Sequence, residues 1–141
     1  MSLKGFFREA AIQPKHIKTV ISRRFLDEEG NAIAWELRPV PEPENAKIRE
    51  SCISKKLFKG RMVSDFNSSL YTLRLCAAAV VFPDLADAEL QKDYGVIGAE
   101  ALLQAMLVLP AEMTALQQQV QLVCGYELEQ FDEDREEVKN S

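Results

Sequence analysis

With 141 residues, 47% of them hydrophobic and 28% charged, the chain has enough apolar material for one domain with its own core and too little length for two of ordinary size. Six glycines and six prolines exclude collagen-like and low-complexity chains, and the longest apolar run, Leu75 to Phe82, falls far short of the ~20 residues of a membrane span. The net charge of −5 hides an asymmetry: residues 1–61 carry +5 and residues 62–141 carry −10, which suits a nucleic-acid face, an acidic tail or association of copies basic half to acidic half.

Residues 1–15 read as an N-terminal arm. Arg8 and Glu9 interrupt its apolar run before it reaches the length of a secretory core, so the expectation is a cytoplasmic protein without an export signal. His16 to Phe25 alternates as a strand, with Ile17, Thr19, Ile21 and Arg23 on one side and Lys18, Val20, Ser22 and Arg24 on the other. Asp27 to Asn31 supplies the turn, because Gly30 and Asn31 tolerate positive φ. Ile33, Trp35 and Leu37 alternate along the return strand, and three prolines between Pro39 and Pro43 end it. A short helix is expected from Glu44, with Ala46, Ile48, Cys52 and Ile53 near helical spacing. Lys55 to Phe66 mixes basic residues with Leu57, Phe58, Met62, Val63 and Phe66 around Gly60, a pattern of a second hairpin or an extended loop.

Beyond this point the period changes. Leu70, Leu73, Ala77 and Val80 recur at steps of three and four after Ser68-Ser69, a candidate N-cap, and Pro83 closes the segment; the helix is apolar over most of its girth and belongs at the centre of the core. Asp87 caps a short helix through Leu90 and Tyr94, stopped by Gly95. Gly98 to Leu109 puts Leu102, Leu103, Met106 and Leu107 on one stripe. Pro110 opens the next helix, whose face is Met113, Leu116, Val120 and Val123 and whose stop is Gly125. The fold class is therefore α+β: a β-hairpin-rich part followed by an all-helical part, packed as a single domain over residues 16–126. Residues 127–141 hold seven acids against Arg135 and Lys139 and too few apolar side chains to order themselves, which predicts a disordered acidic tail.

No arrangement for catalysis emerges. There is no nucleophile beside a base, no ligand cluster and no glycine-rich phosphate loop, so neither an enzyme nor a metal or cofactor site is expected. His16 has no acid near it in sequence and reads as a surface residue at a strand edge. The odd set Cys52, Cys76 and Cys124 gives no disulfide framework; each reads as a small hydrophobe. Trp35 reads as the core anchor of its hairpin. The basic residues from Lys47 to Arg61 form a solvated face or meet an acidic partner; only Phe58 interleaves them, which disfavours a nucleic-acid strip. Met106, Leu107 and Met113 flank Pro110, where they either fill the core or form an adaptable apolar surface.

Five blocks, Ile21 to Val40, Glu44 to Cys52, Ala77 to Val96, Gly98 to Leu103 and Leu107 to Glu112, resemble in order and spacing the XkdN-like phage tail assembly chaperones. The resemblance covers most of the chain between Ile17 and Gly125. It implies a small host-cytoplasmic protein of a long-tailed phage or prophage that binds the tape measure protein, keeps it soluble, helps recruit the tail tube protein and leaves before the virion is complete. It also implies, in many such phages, a frameshift-extended form of the same chain. The family offers no catalytic residues to carry over. A tape measure segment is a long amphipathic helix, and Leu102, Leu103, Met106, Met113 and Leu116 offer an apolar stripe that would take it as a helix in a groove. Rival expectations are a structural minor tail component and, less favoured, a nucleic-acid-binding regulator.

Overall fold

The computed structural model describes residues 1–126; the expected acidic tail lies outside the described residues. Residues 1–16 are exposed throughout, with one 3₁₀ turn at Lys4–Phe6. The elements that follow are β1 (Ile17–Thr19), β2 (Trp35–Leu37), α1 (Glu42–Ser51), β3 (Ile53–Phe58), β4 (Arg61–Phe66), α2 (Ser68–Ala79), β5 (Val80–Phe82), α3 (Ala88–Tyr94), α4 (Ala99–Met106) and α5 (Pro110–Val123). The α+β class is as expected.

The first hairpin forms in two pieces. Near its ends β1 pairs antiparallel with β2, Ile17 opposite Leu37 and Thr19 opposite Trp35, so these four side chains share the inner face while Lys18 and Glu36 face outward. At the tip, Ile33 N–H donates to Phe25 C=O at 2.8 Å, Leu26 bridges Ala32, and the Asp27 carboxylate accepts from the N–H groups of Glu29 and Asn31, both at 2.9 Å. Gly30 takes the positive φ, 86°, that the turn needs. Between these pieces the expected alternation fails: Ile21 and Ser22 are both buried and Val20 is exposed. The unbroken strand His16 to Phe25 is thereby corrected to a three-residue strand, because Ser22 and Arg24 are drawn away from the ladder toward Glu112 of α5.

A second departure lies at the end of α2. Val80, expected as the last helical apolar residue, begins β5, which pairs antiparallel with β2 and completes a sheet of order β1-β2-β5. Arg38 N–H donating to Ala79 C=O at 2.8 Å extends that pairing, and the Phe82-Pro83 peptide is cis. Helix α2 therefore feeds directly into the sheet it packs on. Its N-cap is Asn67, whose side chain accepts from Leu70 N–H at 3.0 Å, and not the Ser68-Ser69 pair, which starts the helix itself. Within α2 Cys76 and Ala79 are buried and Leu73, Leu75, Ala77 and Ala78 pack half-buried against the core, so the helix touches α1, α4, α5 and β5 in the central position its broad apolar girth suggested. The expected caps of α3 hold: Asp87 accepts from Leu90 N–H at 2.9 Å and Gly95 is left-handed.

One continuous core joins the sheet to the helices. Ile21, Trp35, Leu37 and Val40 from the first part meet Cys76 and Ala79 of α2, Leu85, Leu102, Leu103, Met106 and Leu107 around α4, and Leu116, Val120 and Val123 of α5. Trp35, 2% exposed, is the anchor the sequence suggested. The helix amphipathicity that marks α4 and α5 thus serves packing, α5 against β2 and α2, and α4 against α2 and α3.

Candidate functional site

Strands β3 and β4 form a hairpin whose every residue is exposed. The register runs from Ile53 opposite Phe66 to Phe58 opposite Arg61, closed by Lys59 and Gly60, both at positive φ (48° and 77°). Two residues of left-handed sense match the twist of a two-residue hairpin loop, and this explains how a chain without Asn-Gly makes the turn. Of the two readings open for Lys55 to Phe66, the hairpin is the one realised. Alternation then sorts its side chains. One face carries the cross-strand pairs Ile53 with Phe66 and Leu57 with Met62, flanking Lys55 and Ser64; the other carries Ser54 with Asp65, Lys56 with Val63, and Phe58 with Arg61.

The exposure increases toward the tip, where Leu57 is 72%, Met62 65% and Phe58 61% exposed. The base, in contrast, is fixed. Asn67 N–H donates to Cys52 C=O at 2.9 Å, Phe66 packs on Tyr71 with ring centroids 5.8 Å apart, and the Tyr71 hydroxyl donates to Asn45 of α1. Arg74 of α2 holds the Ser51 carbonyl at 3.1 Å and its hydroxyl at 2.9 Å, while its Nε donates to Glu100 of α4 at 3.0 Å. A two-stranded ribbon without a third strand or a helix beneath it is marginal in water. Here it presents apolar side chains, four cations (Lys55, Lys56, Lys59 and Arg61) and, among the described residues, two unpaired strand edges on a fixed base, which are the attributes of a protein-docking element.

The five residues expected to line a partner groove do come together, but inside the molecule. Leu102, Leu103 and Leu116 are fully buried, Met106 is 5% exposed, and Met113 is half-buried against the same core. Their stripe is satisfied by Trp35, Leu37 and Cys76, so the surface reading of Leu102, Leu103, Met106, Met113 and Leu116 gives way to the core reading. Sequence periodicity shows that a helix has an apolar face; it does not show whether that face is covered by the same chain.

A polar node beside this core escapes sequence reading. Glu112, 7% exposed, receives Arg24 through Nε at 2.8 Å and Nη2 at 2.9 Å, accepts from the Ser22 hydroxyl, and takes Leu109 N–H at 3.0 Å; Arg24 also reaches Met106 C=O at 2.6 Å. The Arg24 guanidinium holds the Glu112 carboxyl well below its usual range, at about 2, and the hydrogen bonds from Ser22 and Leu109 add to this against the opposing effect of burial. The partners are 88 residues apart in the chain. The only local signal is an acid in the first turn of α5, three residues after the position preceding Pro110, where it can bond back to the start of its helix.

Other sequence candidates resolve simply. His16 does have an acid beside it, Glu36 Oε2 at 3.4 Å, supplied by the return strand, but the pair lies on the open outer face of the sheet. Next to it, Lys18, Ala34, Glu36, Val81 and Phe82 line a shallow groove of about 580 Å³. It gathers no convergent set of catalytic groups. Cys52 and Cys76 are buried, Cys124 is half-buried, and burial pushes the Cys76 thiol up to about 12. Among the described residues no group of three His, Cys, Asp or Glu could hold a metal ion, and no helix is long and apolar enough to cross a membrane.

Comparison with known proteins places this arrangement. The family model of the phage XkdN-like tail assembly chaperone proteins matches residues 3–139. The phage-like element PBSX protein XkdN of Bacillus subtilis (strain 168) is 25% identical over 139 residues, 98% of this chain and 93% of that protein. YqbN of the same strain is 25% identical over 93 residues, 65% of this chain and 62% of its own length. A crystal structure of the protein YqbN superposes with a TM-score of 0.74 at 16% identity, covering 90% of this chain and 98% of that one, which shows a shared fold.

Proposed function

Starting from the fact that this chain belongs to the XkdN-like phage tail assembly chaperone family, we propose that it binds the tape measure protein, keeps it soluble and helps recruit the tail tube protein, without catalysis of its own. The family match over residues 3–139 is the observation that carries this reading. The fold supplies a surface for it. A tape measure helix in the host cytoplasm exposes an apolar stripe that must be shielded until the tube closes round it. The β3–β4 hairpin offers Leu57 and Met62 for that stripe and cations for acidic side chains flanking it, and it can do so without disturbing the core. A protein acting in this way leaves before the virion is complete. A frameshift-extended form of the chain and self-association of copies are compatible additions to the same role.

Coexpression with the tape measure protein of the same phage, followed by affinity capture and size exclusion, tests the proposal. The expected result is a soluble complex with a tape measure protein that is insoluble when expressed alone. A tape measure protein that stays insoluble and unbound overturns it, and recovery of the chain from purified virions by mass spectrometry would make it a structural tail component instead. The exposed basic strip is the one observation favouring a nucleic-acid role. Against a net charge of −5, retention of DNA or RNA on a filter at physiological salt is not expected.

A further inference from the structure

Alternation makes the two faces of the β3–β4 hairpin unlike. One carries Ile53, Lys55 and Leu57 opposite Phe66, Ser64 and Met62, so a single cation stands midway between two apolar cross-strand pairs. The reverse face carries Lys56, Arg61 and Asp65 and mixes both signs of charge. All six residues of the first face are exposed, and Phe66 at its base leans on Tyr71.

The dimensions of that face select a helix. Its successive pairs lie two residues apart, about 6.6 Å along the strands, so Ile53 with Phe66, Lys55 with Ser64 and Leu57 with Met62 span about 13 Å. Side chains four positions apart on an α-helix share a face and lie about 6 Å apart, and two such steps cover about 12 Å. The two repeats therefore stay in step along the whole face. Across it, two strands about 4.8 Å apart, with their paired side chains, make a strip about one helix wide, about 10 Å. An extended chain would pair with a strand edge instead and leave this face uncovered. A helix that covers the apolar pairs also covers Lys55, and that cation then needs an anion above it to offset its loss of water.

We propose that this face takes an amphipathic partner helix in one register, with apolar side chains four positions to either side of a central Asp or Glu that pairs with Lys55. The pattern reads the same in both chain directions, so it fixes the register of the helix and not its polarity. The inference rests on the hairpin being the surface that receives a tape measure helix, and it adds which stretch of such a helix is chosen.

Ala- and Gln-based helical peptides of about 20 residues provide the test. One carries Leu, Glu and Leu at successive four-residue steps, and the second carries Lys in place of the Glu. Each is titrated into the ¹⁵N-labelled full chain, and the amide shifts of residues 53–66 give its affinity, with the rest of the amide spectrum showing that each variant is folded. The Glu peptide should bind at least about threefold more tightly than the Lys peptide, Lys55→Glu should invert this preference, and Lys56→Glu on the reverse face should leave it in place. No binding by either peptide, an equal effect of Lys55→Glu and Lys56→Glu, or loss of peptide helicity on binding by circular dichroism would overturn the inference. So would shifts in residues 53–66 that follow protein concentration alone, since a second copy would then cover the face. If these results fail while the tape measure protein is still captured on coexpression, the register falls and the chaperone reading stands. If capture fails while the peptide preference holds, the chaperone reading falls and the helix preference of this face stands.

Discussion

Replacing Glu112 by Gln keeps the side-chain shape and removes the charge to which Arg24, Ser22 and the start of α5 are tied. The amide nitrogen would then point a donor at a guanidinium that has only donors. A carboxyl held at about 2 in the folded chain against an ordinary 4.5 contributes up to about 3 kcal/mol at neutral pH. The sign follows from the depressed value: the stabilisation is complete above the ordinary carboxylate range and is lost as pH falls from 4.5 toward 2, with about 1.4 kcal/mol left at pH 3. Because the Arg24 side chain is 41% exposed and can turn to water once unpaired, the measured loss at pH 7 should be about 2–3 kcal/mol. Urea unfolding followed by the fluorescence of Trp35, the single and buried tryptophan, reads this directly. At a slope of roughly 1–3 kcal/mol per molar urea, the midpoint should drop by about 1–2 M. The gap between the parent and the Gln variant should shrink between pH 7 and pH 3. Equal midpoints at pH 7, or a gap that does not change over that range, would refute the assignment of Glu112 as the charged key of the fold.

The remaining predictions concern the core, the hairpin, a cap and the thiols. Met106→Asp places a charge in a side-chain site only 5% exposed and should cost more than about 3 kcal/mol, unfolding the chain by circular dichroism, whereas the same change at half-buried Met113 should cost less. Leu57→Asp with Met62→Asp should leave the unfolding midpoint within about 0.5 kcal/mol of the parent yet abolish capture of the tape measure protein; undiminished capture would remove the hairpin from the proposed function. Asn67→Ala should lower stability by about 1 kcal/mol through loss of the α2 cap, while Ser69→Ala should be nearly neutral, both measured by thermal melting. A thiol reagent at pH 8 should modify Cys124 well before Cys52 and Cys76, which should react only on unfolding.

Local rules carried the reading of this chain a long way. Asp87 and Gly95 bound α3, Pro110 opens α5, Gly30 turns the first hairpin and Trp35 anchors it, because caps, turns and alternation act over four or five residues and leave their chemistry in consecutive letters. The order and spacing of whole blocks also pointed to the family that the comparisons establish.

What escaped involves residues far apart in the chain. Ser22 and Arg24 leave the ladder for an acid 90 and 88 positions away. Val80 joins β5 because β2 offers a free edge where α2 ends, and an apolar run of that length suits a helix end and a buried strand equally well. The apolar stripe of Leu102, Leu103, Met106 and Leu116 is core because it joins one cluster with Trp35, Leu37 and Cys76, while Leu57 and Met62, no more hydrophobic, remain exposed because among the described residues no element packs over the tip of the hairpin. Hydrophobicity is a property of a residue. Burial depends on which other segment reaches it, and that emerges only when the whole chain closes on itself.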